Sequence, residues 1–372
     1  MQLEQLAALV REDQLSWSDL HLTPDEFIEA CGAQDLIGLV YQRIHLLSDE
    51  AGWPQELRLA LTHAAHTLAA AELLRKREIM KVLDALAAAD VRPILFKGTP
   101  LAYTHYNNPS SRPRNDTDLL IARNQVETVR REMARLGYSA PTYCDGELLF
   151  CQFEYQKTDE FGVVHAFDFH WKISTQPVFA DLMTYDELAA DAVPIPPLGG
   201  TANAVSSVQA LLLACVHPVM HHRNVECLIW IYDIHLLASE LSISELERFA
   251  DMAIAKRVAA IVMSSLRLAR SRFGTRIPER ILDRLAATRS NEPSAVYLGS
   301  ARRWHDELIS SVGGLPHWRD RIRLLREVVF PSPDYMLKSY RIRSRAAGGA
   351  LLPALYIHRA IYGLWKVTVG QK

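Results

Sequence analysis

Asp116 and Asp118 sit one residue apart in the run Asn-Asp-Thr-Asp-Leu-Leu-Ile at 115–121, and they are the first candidates for chemistry in this chain. On a strand, residues two apart project to one face, about 6 to 7 Å from each other. Thr117, Leu119 and Ile121 then face the opposite way, and two of those three are apolar. Two carboxylates on one face repel each other unless a cation neutralises them. A hard ion such as Mg²⁺ (or Mn²⁺) takes carboxylate oxygens and keeps coordination sites for substrate phosphates. The same spacing also describes two ordinary acids on a solvated strand edge, so the surrounding residues decide between the readings.

The residues upstream favour chemistry. Residues 91–98, Val-Arg-Pro-Ile-Leu-Phe-Lys-Gly, read as a short buried strand ending at a turn. Thr99 is a good N-cap and Pro100 suits the first helical position, which predicts a short helix over 100–106. A helix start presents free N–H groups to an anion, and Gly98 lets backbone approach a phosphate with no Cβ in the way. Lys97, Arg112 and Arg114 add cations around the same place, where phosphate contacts become a better reading than scattered surface charge.

A third acid follows. Residues 165–174 alternate, with Phe167, Phe169, Trp171 and Ile173 on one face and Ala166, Asp168, His170 and Lys172 on the other. That is the pattern of a half-buried strand. If this strand neighbours the first, Asp116, Asp118 and Asp168 share one cleft. Three carboxylates can hold two metals, one activating the attacking oxygen and one steadying the leaving group.

The order Lys-Gly, then Arg-x-Arg-Asn-Asp-x-Asp-Leu-Leu, then Asp-x-His-Trp resembles the uncharacterised bacterial nucleotidyltransferases of the polymerase-β-like superfamily. Gly98, Asp116, Asp118 and Asp168 match the superfamily's turn glycine, D-x-D strand and later acid. Lys97-Gly98-Thr99 departs from the Gly-Ser or Gly-Gly of many members and is typical of the uncharacterised branch. The resemblance implies an NTP substrate and Mg²⁺ or Mn²⁺. It implies attack by an acceptor oxygen on the α-phosphorus with loss of pyrophosphate. Asp116, Asp118 and Asp168 would be catalytic and metal-binding, and Lys97, Gly98, Thr99, Arg112 and Arg114 nucleotide-binding. It further implies that His221, Trp230 and Asp233 wall the nucleotide or acceptor cleft. A non-catalytic nucleotide-binding scaffold and a metal-dependent phosphohydrolase remain as alternatives. The NTP base and the acceptor (small molecule, glycan, protein or RNA) are not specified.

The elements that must position these residues give an α+β fold, with a small mixed-sheet core flanked by N-terminal and C-terminal helical regions. Residues 1–90 read as helices, 91–200 as the core and 201–372 as helices. Within the core, a helix is expected over 125–136 with Gly137 as its C-cap, and a hairpin through Thr158–Gly162. Residues 193–200 read as a linker by their Pro and Gly content, and 204–239 as one helix carrying His217, His221, His222, Trp230, Asp233 and His235. His217 and His221 are four apart, but no Glu completes a zinc-protease motif and Pro218 intervenes, so a structural histidine cluster is expected.

Composition suits a soluble enzyme, with 49% hydrophobic and 23% charged residues and a net charge of −2 that implies no overall attraction to polyanions. Cys31, Cys144, Cys151, Cys215 and Cys227 show no CxxC spacing, which together with the lack of a signal-peptide pattern predicts a reduced, cytoplasmic chain without a transmembrane span. Residues 1–60 hold 3 Lys/Arg and 11 Asp/Glu, and residues 317–372 hold 11 Lys/Arg and 3 Asp/Glu. Two arms that attract each other explain this asymmetry more simply than an anionic acceptor bound at Arg341, Arg343 and Arg345.

Overall fold

The computed structural model describes residues 3–47 apart from 12 and 14, then 52–139, 151–288, 292–299, 317–340 and 351–362, with a few single positions besides. Cys144 and the alternating Arg341, Arg343 and Arg345 lie outside the described residues.

The acidic, leucine- and alanine-rich N-terminal stretch forms helices α1 (Leu3–Val10), α2 (Pro24–Ala33), α3 (Ile37–Leu46) and α4 (Gln55–Ala88). Thr23 and Glu26 cap α2 reciprocally, and Pro24 fills the first helical position. At 34 residues, α4 is about 50 Å long. Leu57, Leu61, Ala65, Glu72, Ile79, Leu83 and Leu86 recur at spacings of three, four and seven, so they form one buried stripe. Glu72 is the one acid on that stripe. The first half of α4 packs into a core made with α1–α3, and the second half packs under the sheet.

The sheet follows as β1 (Ile94–Leu95), β2 (Thr117–Leu120), β3 (Gln152–Thr158), β4 (Val164–His170), β5 (Val193–Pro194) and β6 (Asn203–Ala204), in the order β3-β4-β2-β1-β6-β5. It is mixed, with β2 parallel to β4 and β1 parallel to β6, and the other pairs antiparallel. Interspersed are α5 (Gly98–Thr104), α6 (Val126–Arg135), α7 (Pro177–Ala180) and α8 (Tyr185–Ala190). Alternation splits the sheet between two cores. Leu95, Leu119, Phe167 and Phe169 pack on the end of α4 and on α6, while Ile94, Phe96 and Leu120 face the helical cores. The hairpin joins β3 to β4 through the expected turn, where Asp159 Oδ1 accepts from the N–H groups of Phe161 and Val163, both at 2.9 Å. Gly137, at φ 81°, ends the helix before it.

Two expectations are corrected. Residues 193–200 are not a linker, because β5 pairs with β6, which extends the sheet beyond β1, and Pro194 is tolerated on this edge strand. The long helix expected over 204–239 is two, α9 (Ser207–His221) and α10 (Leu228–Glu240). Arg223 and Asn224 turn left-handed between them, at φ 50° and 57°, and Asn224 N–H closes back on the Pro218 carbonyl. Pro218 itself stays inside α9.

Helices α11 (Ile243–Ala255), α12 (Ala259–Phe273) and α13 (Glu279–Thr288) complete a bundle around α9 and α10. Of the acidic N-terminal arm, Glu4 pairs with Arg272 at the end of α12 at 2.8 Å. Cys31, Cys151, Cys215 and Cys227 are buried and free. No helix among the described residues is long and apolar enough to cross a membrane.

Candidate active site

Parallel pairing of β2 with β4 sets Asp118 directly beside Asp168, and the antiparallel hairpin sets Glu154 beside Asp168 on its other side. Three adjacent strands therefore carry a row of carboxylates on one face. Asp116, just before β2, projects to the same side. His170, two residues beyond Asp168, completes the group, and its Nε2 lies 3.0 Å from Asp118 Oδ1 and 4.0 Å from Asp168 Oδ2. One donor atom each from Asp118, Asp168 and His170 falls within 4.8 Å of the others, a spacing that can hold a metal ion.

The charges within this group are unequal. Asp118 is 4% exposed, yet Lys97 Nζ meets its Oδ1 at 2.5 Å. Burial pushes the Asp118 carboxyl up, but Lys97 and His170 outweigh that and hold it well below the usual carboxylate range. Burial likewise pulls the Lys97 ammonium down, and Asp118 more than restores it. Among the described residues, neither of the other two acids has an ammonium in direct contact, and Lys97 acts on them only from a distance. Repulsion from Asp118, with burial second, lifts Asp116 to about 6. Burial, then Asp118 and Asp116, lifts Asp168 to about 7, and its described hydrogen bond is a long one, 3.4 Å from Gln152 Nε2. Burial lowers His170, so its ring is neutral near pH 7, and the bond to Asp118 assigns its proton to Nε2. His170 thus reads as a brace on Asp118 before it reads as a ligand.

The turn that carries Lys97 departs from the expected helix start. Helix α5 begins at Gly98 with Lys97 as its N-cap, not at Pro100 with Thr99. Lys97 has φ 60° and ψ −137°, a conformation that costs a side-chain-bearing residue about 1–3 kcal/mol. The space where a Gly98 Cβ would stand is filled by the Arg112 guanidinium, 3.3 Å away. Thr99 is buried and its Oγ1 accepts from Arg114 Nε at 3.0 Å.

Arg112 and Arg114, expected beside the phosphates, are both buried and each is held on a carboxylate. Arg112 donates through Nε and Nη2 to both oxygens of Asp233, at 2.8–3.0 Å, and Tyr106 OH donates to the same carboxylate at 2.7 Å. Arg114 Nη2 donates to Glu72 Oε1 at 2.7 Å. The loop that carries both arginines is pressed on α3, where a Cβ at Gly38 would stand 2.6 Å from Ser111 Cα, so only glycine fits. Gln42 Nε2 adds a 2.8 Å bond to Ser111 Oγ.

Two openings flank the acids. A polar cleft of about 340 Å³ is lined by Asp116, Asp168, Glu154, Asn115, Gln156 and, from α4, Arg75. A mostly apolar cavity borders Lys97 and Gly98 on the side of α9 and α10, with Trp230, His217 and Asp233 in its wall. Trp230 and Asp233 are therefore brought to the turn, with the Asp233 carboxylate engaged by Arg112. His221 packs beside His217, ring centroids 5.5 Å apart, with a pKa that burial lowers to about 3. With His222 and Trp230 these rings make a cluster of edge-on and tilted contacts, and they form no metal grouping among the described residues.

Four contributors were not singled out from sequence. His170 and Glu154 stand on the polar faces of their strands, a signal open to inspection. Glu72 was detectable as an acid on an apolar helical stripe. Arg75 sits among Arg75, Lys76 and Arg77 with nothing local to distinguish it.

No curated protein matches this chain. The strand pair that aligns Asp118 with Asp168, the Lys-Gly turn above it and helices α2 to α12 all fall within residues 21–274, which match the model of a family described as uncharacterised nucleotidyltransferase, and the chain belongs to that family.

Proposed function

We propose that the protein is a Mg²⁺- or Mn²⁺-dependent nucleotidyltransferase that moves a nucleoside monophosphate from an NTP to an acceptor hydroxyl. The observation that carries this reading is the row of acids in register on β2 and β4, with one member neutralised internally and two left high in pKa beside a polar cleft. The donor set fits a hard divalent ion. Both described bonds to Asp118 fall on Oδ1, which leaves Oδ2 to the ion together with Asp116 and Asp168. A bound ion would draw charge from the phosphates and lower the carboxyl pKa values.

The chain's own groups supply the rest. Asp168, in the wall of the polar cleft and held ionised once an ion is bound, is placed to accept the proton of the attacking hydroxyl. The acceptor oxygen forms a bond to the α-phosphorus, the bond from that phosphorus to the bridging oxygen breaks, and pyrophosphate leaves with the electron pair. Lys97 places a positive charge at the floor of the site. Gly98 and Thr99 shape the turn that meets the nucleotide, and Arg112 and Arg114 brace it from behind through Asp233 and Glu72. The apolar cavity walled by Trp230 suits a base or an apolar acceptor group. Catalysis of this kind is mostly positioning and electrostatics.

Calorimetry tests the first half of this reading. NTP should bind with Mn²⁺ and lose affinity in EDTA or in Asp118→Asn, and equal, tight binding under all three conditions would overturn it. An α-³²P-labelled NTP tests the second half. Label retained on an acceptor together with released pyrophosphate identifies transfer, whereas free labelled nucleotide with no acceptor product identifies hydrolysis.

A further inference from the structure

Building on the transfer reading, we propose that Arg75 of α4 grips the β- and γ-phosphates of the metal-bound NTP, the part that leaves as pyrophosphate. Among the described residues lining the polar cleft, Arg75 is the sole cation, opposite a wall that presents Asp116, Asp168 and Glu154. The other cations around the site are already committed. Lys97 is on Asp118, Arg112 on Asp233 and Arg114 on Glu72.

Arg75 is held differently. Its described ion pair is a loose one, Nη1 to Glu72 Oε2 at 3.6 Å. The other oxygen of Glu72 takes Arg114 at 2.7 Å and the Tyr103 hydroxyl. One carboxylate thus serves two guanidiniums, and one positive charge is left over. That surplus lies in a cleft where a metal-bound triphosphate would bring surplus negative charge. A guanidinium fork also matches phosphate oxygens in geometry, donating two parallel N–H bonds. Helix α4 runs through both hydrophobic cores, so the fork is placed before any ligand arrives. Glu72 keeps Arg114 and Tyr103 when Arg75 is exchanged, which leaves the surrounding network intact.

The probe is inorganic tripolyphosphate, which carries the contested part of the NTP without base or sugar. In the full chain with saturating Mn²⁺, Arg75→Gln should weaken tripolyphosphate binding at least about tenfold, with Arg75→Lys in between. Mn²⁺ binding in the absence of phosphate should stay within about twofold of wild type, which a merely structural role for Arg75 would not predict. Tripolyphosphate bound equally by wild type and a folded Arg75→Gln overturns the proposal and leaves the transfer reading standing. A wild-type chain that binds neither NTP nor tripolyphosphate overturns both. Should the variants misfold, arginine-specific labelling of the wild type decides the matter: Mn²⁺-tripolyphosphate should shield Arg75 from phenylglyoxal, and undiminished labelling at a saturated site would refute the contact.

Discussion

Asp168 is held at a cost to the fold. Its carboxyl titrates at about 7, well above the ordinary value of 3.8. The folded state therefore holds this proton more tightly than the unfolded chain does. Its contribution to stability is full below about pH 4 and is lost as pH rises through 7. Asp116, raised to about 6, acts in the same direction. In metal-free solution Asp168→Asn should therefore raise stability by about 1–3 kcal/mol at pH 8 and leave it nearly unchanged at pH 3.5, while abolishing transfer. Denaturant melts at the two pH values check this, and a variant less stable than wild type at pH 8 would contradict it. Lys97 shows a related conflict. Its backbone adopts a conformation that favours glycine, yet the ammonium it carries is what keeps Asp118 charged. Strain is accepted where a charge is needed.

At the scale of elements, the site depends on a loop and two helices fastened by buried charge. The pair of Arg112 with Asp233 ties the loop before β2 to α10 in the C-terminal bundle, and Tyr106 closes the same carboxylate from α5's end. Asp233→Leu alone would strand a buried guanidinium, costing about 3–5 kcal/mol in urea melts. Asp233→Leu with Arg112→Met should recover much of that loss, because a well-packed apolar pair replaces a buried ion pair at little expense. Failure of the double variant to recover would locate the loss in Tyr106 and packing instead. This coupling also marks the limit of what sequence reveals. Strands β2, β3 and β4 were legible because alternation over four to seven residues is a local property. Strands β5 and β6 were not, since two-residue strands around Pro194 and Gly199 carry no period and read as a linker. The gathering of the three aspartates on one face was visible through spacing and strand alternation. The true partners of Arg112 and Arg114 lie 121 and 42 residues away, and only the folded chain brings them together.

For the whole molecule, the internal cation at Asp118 has a bearing on assembly. Lys97 already neutralises Asp118, the most buried carboxylate among the described residues, which predicts folding without a metal. Melting in EDTA should remain cooperative, and Mn²⁺ at a hundredfold excess over its dissociation constant should add no more than about 2.7 kcal/mol. An EDTA-treated chain lacking a cooperative transition would count against this. Helix α4 carries a consequence of another kind. One continuous rod lends Leu57 and Leu61 to the N-terminal helices, Glu72 to Arg114, Arg75 to the cleft, and Ile79 to Leu86 to the underside of the sheet. The N-terminal region is thus no appendage that evolution could exchange like a cassette. A fragment starting at residue 91 would inherit the aspartates but shed a wall of their cleft, the carboxylate under Arg114 and half of one core. Any lineage that reshapes this scaffold for a new ligand must leave that rod in place and vary what hangs beyond it.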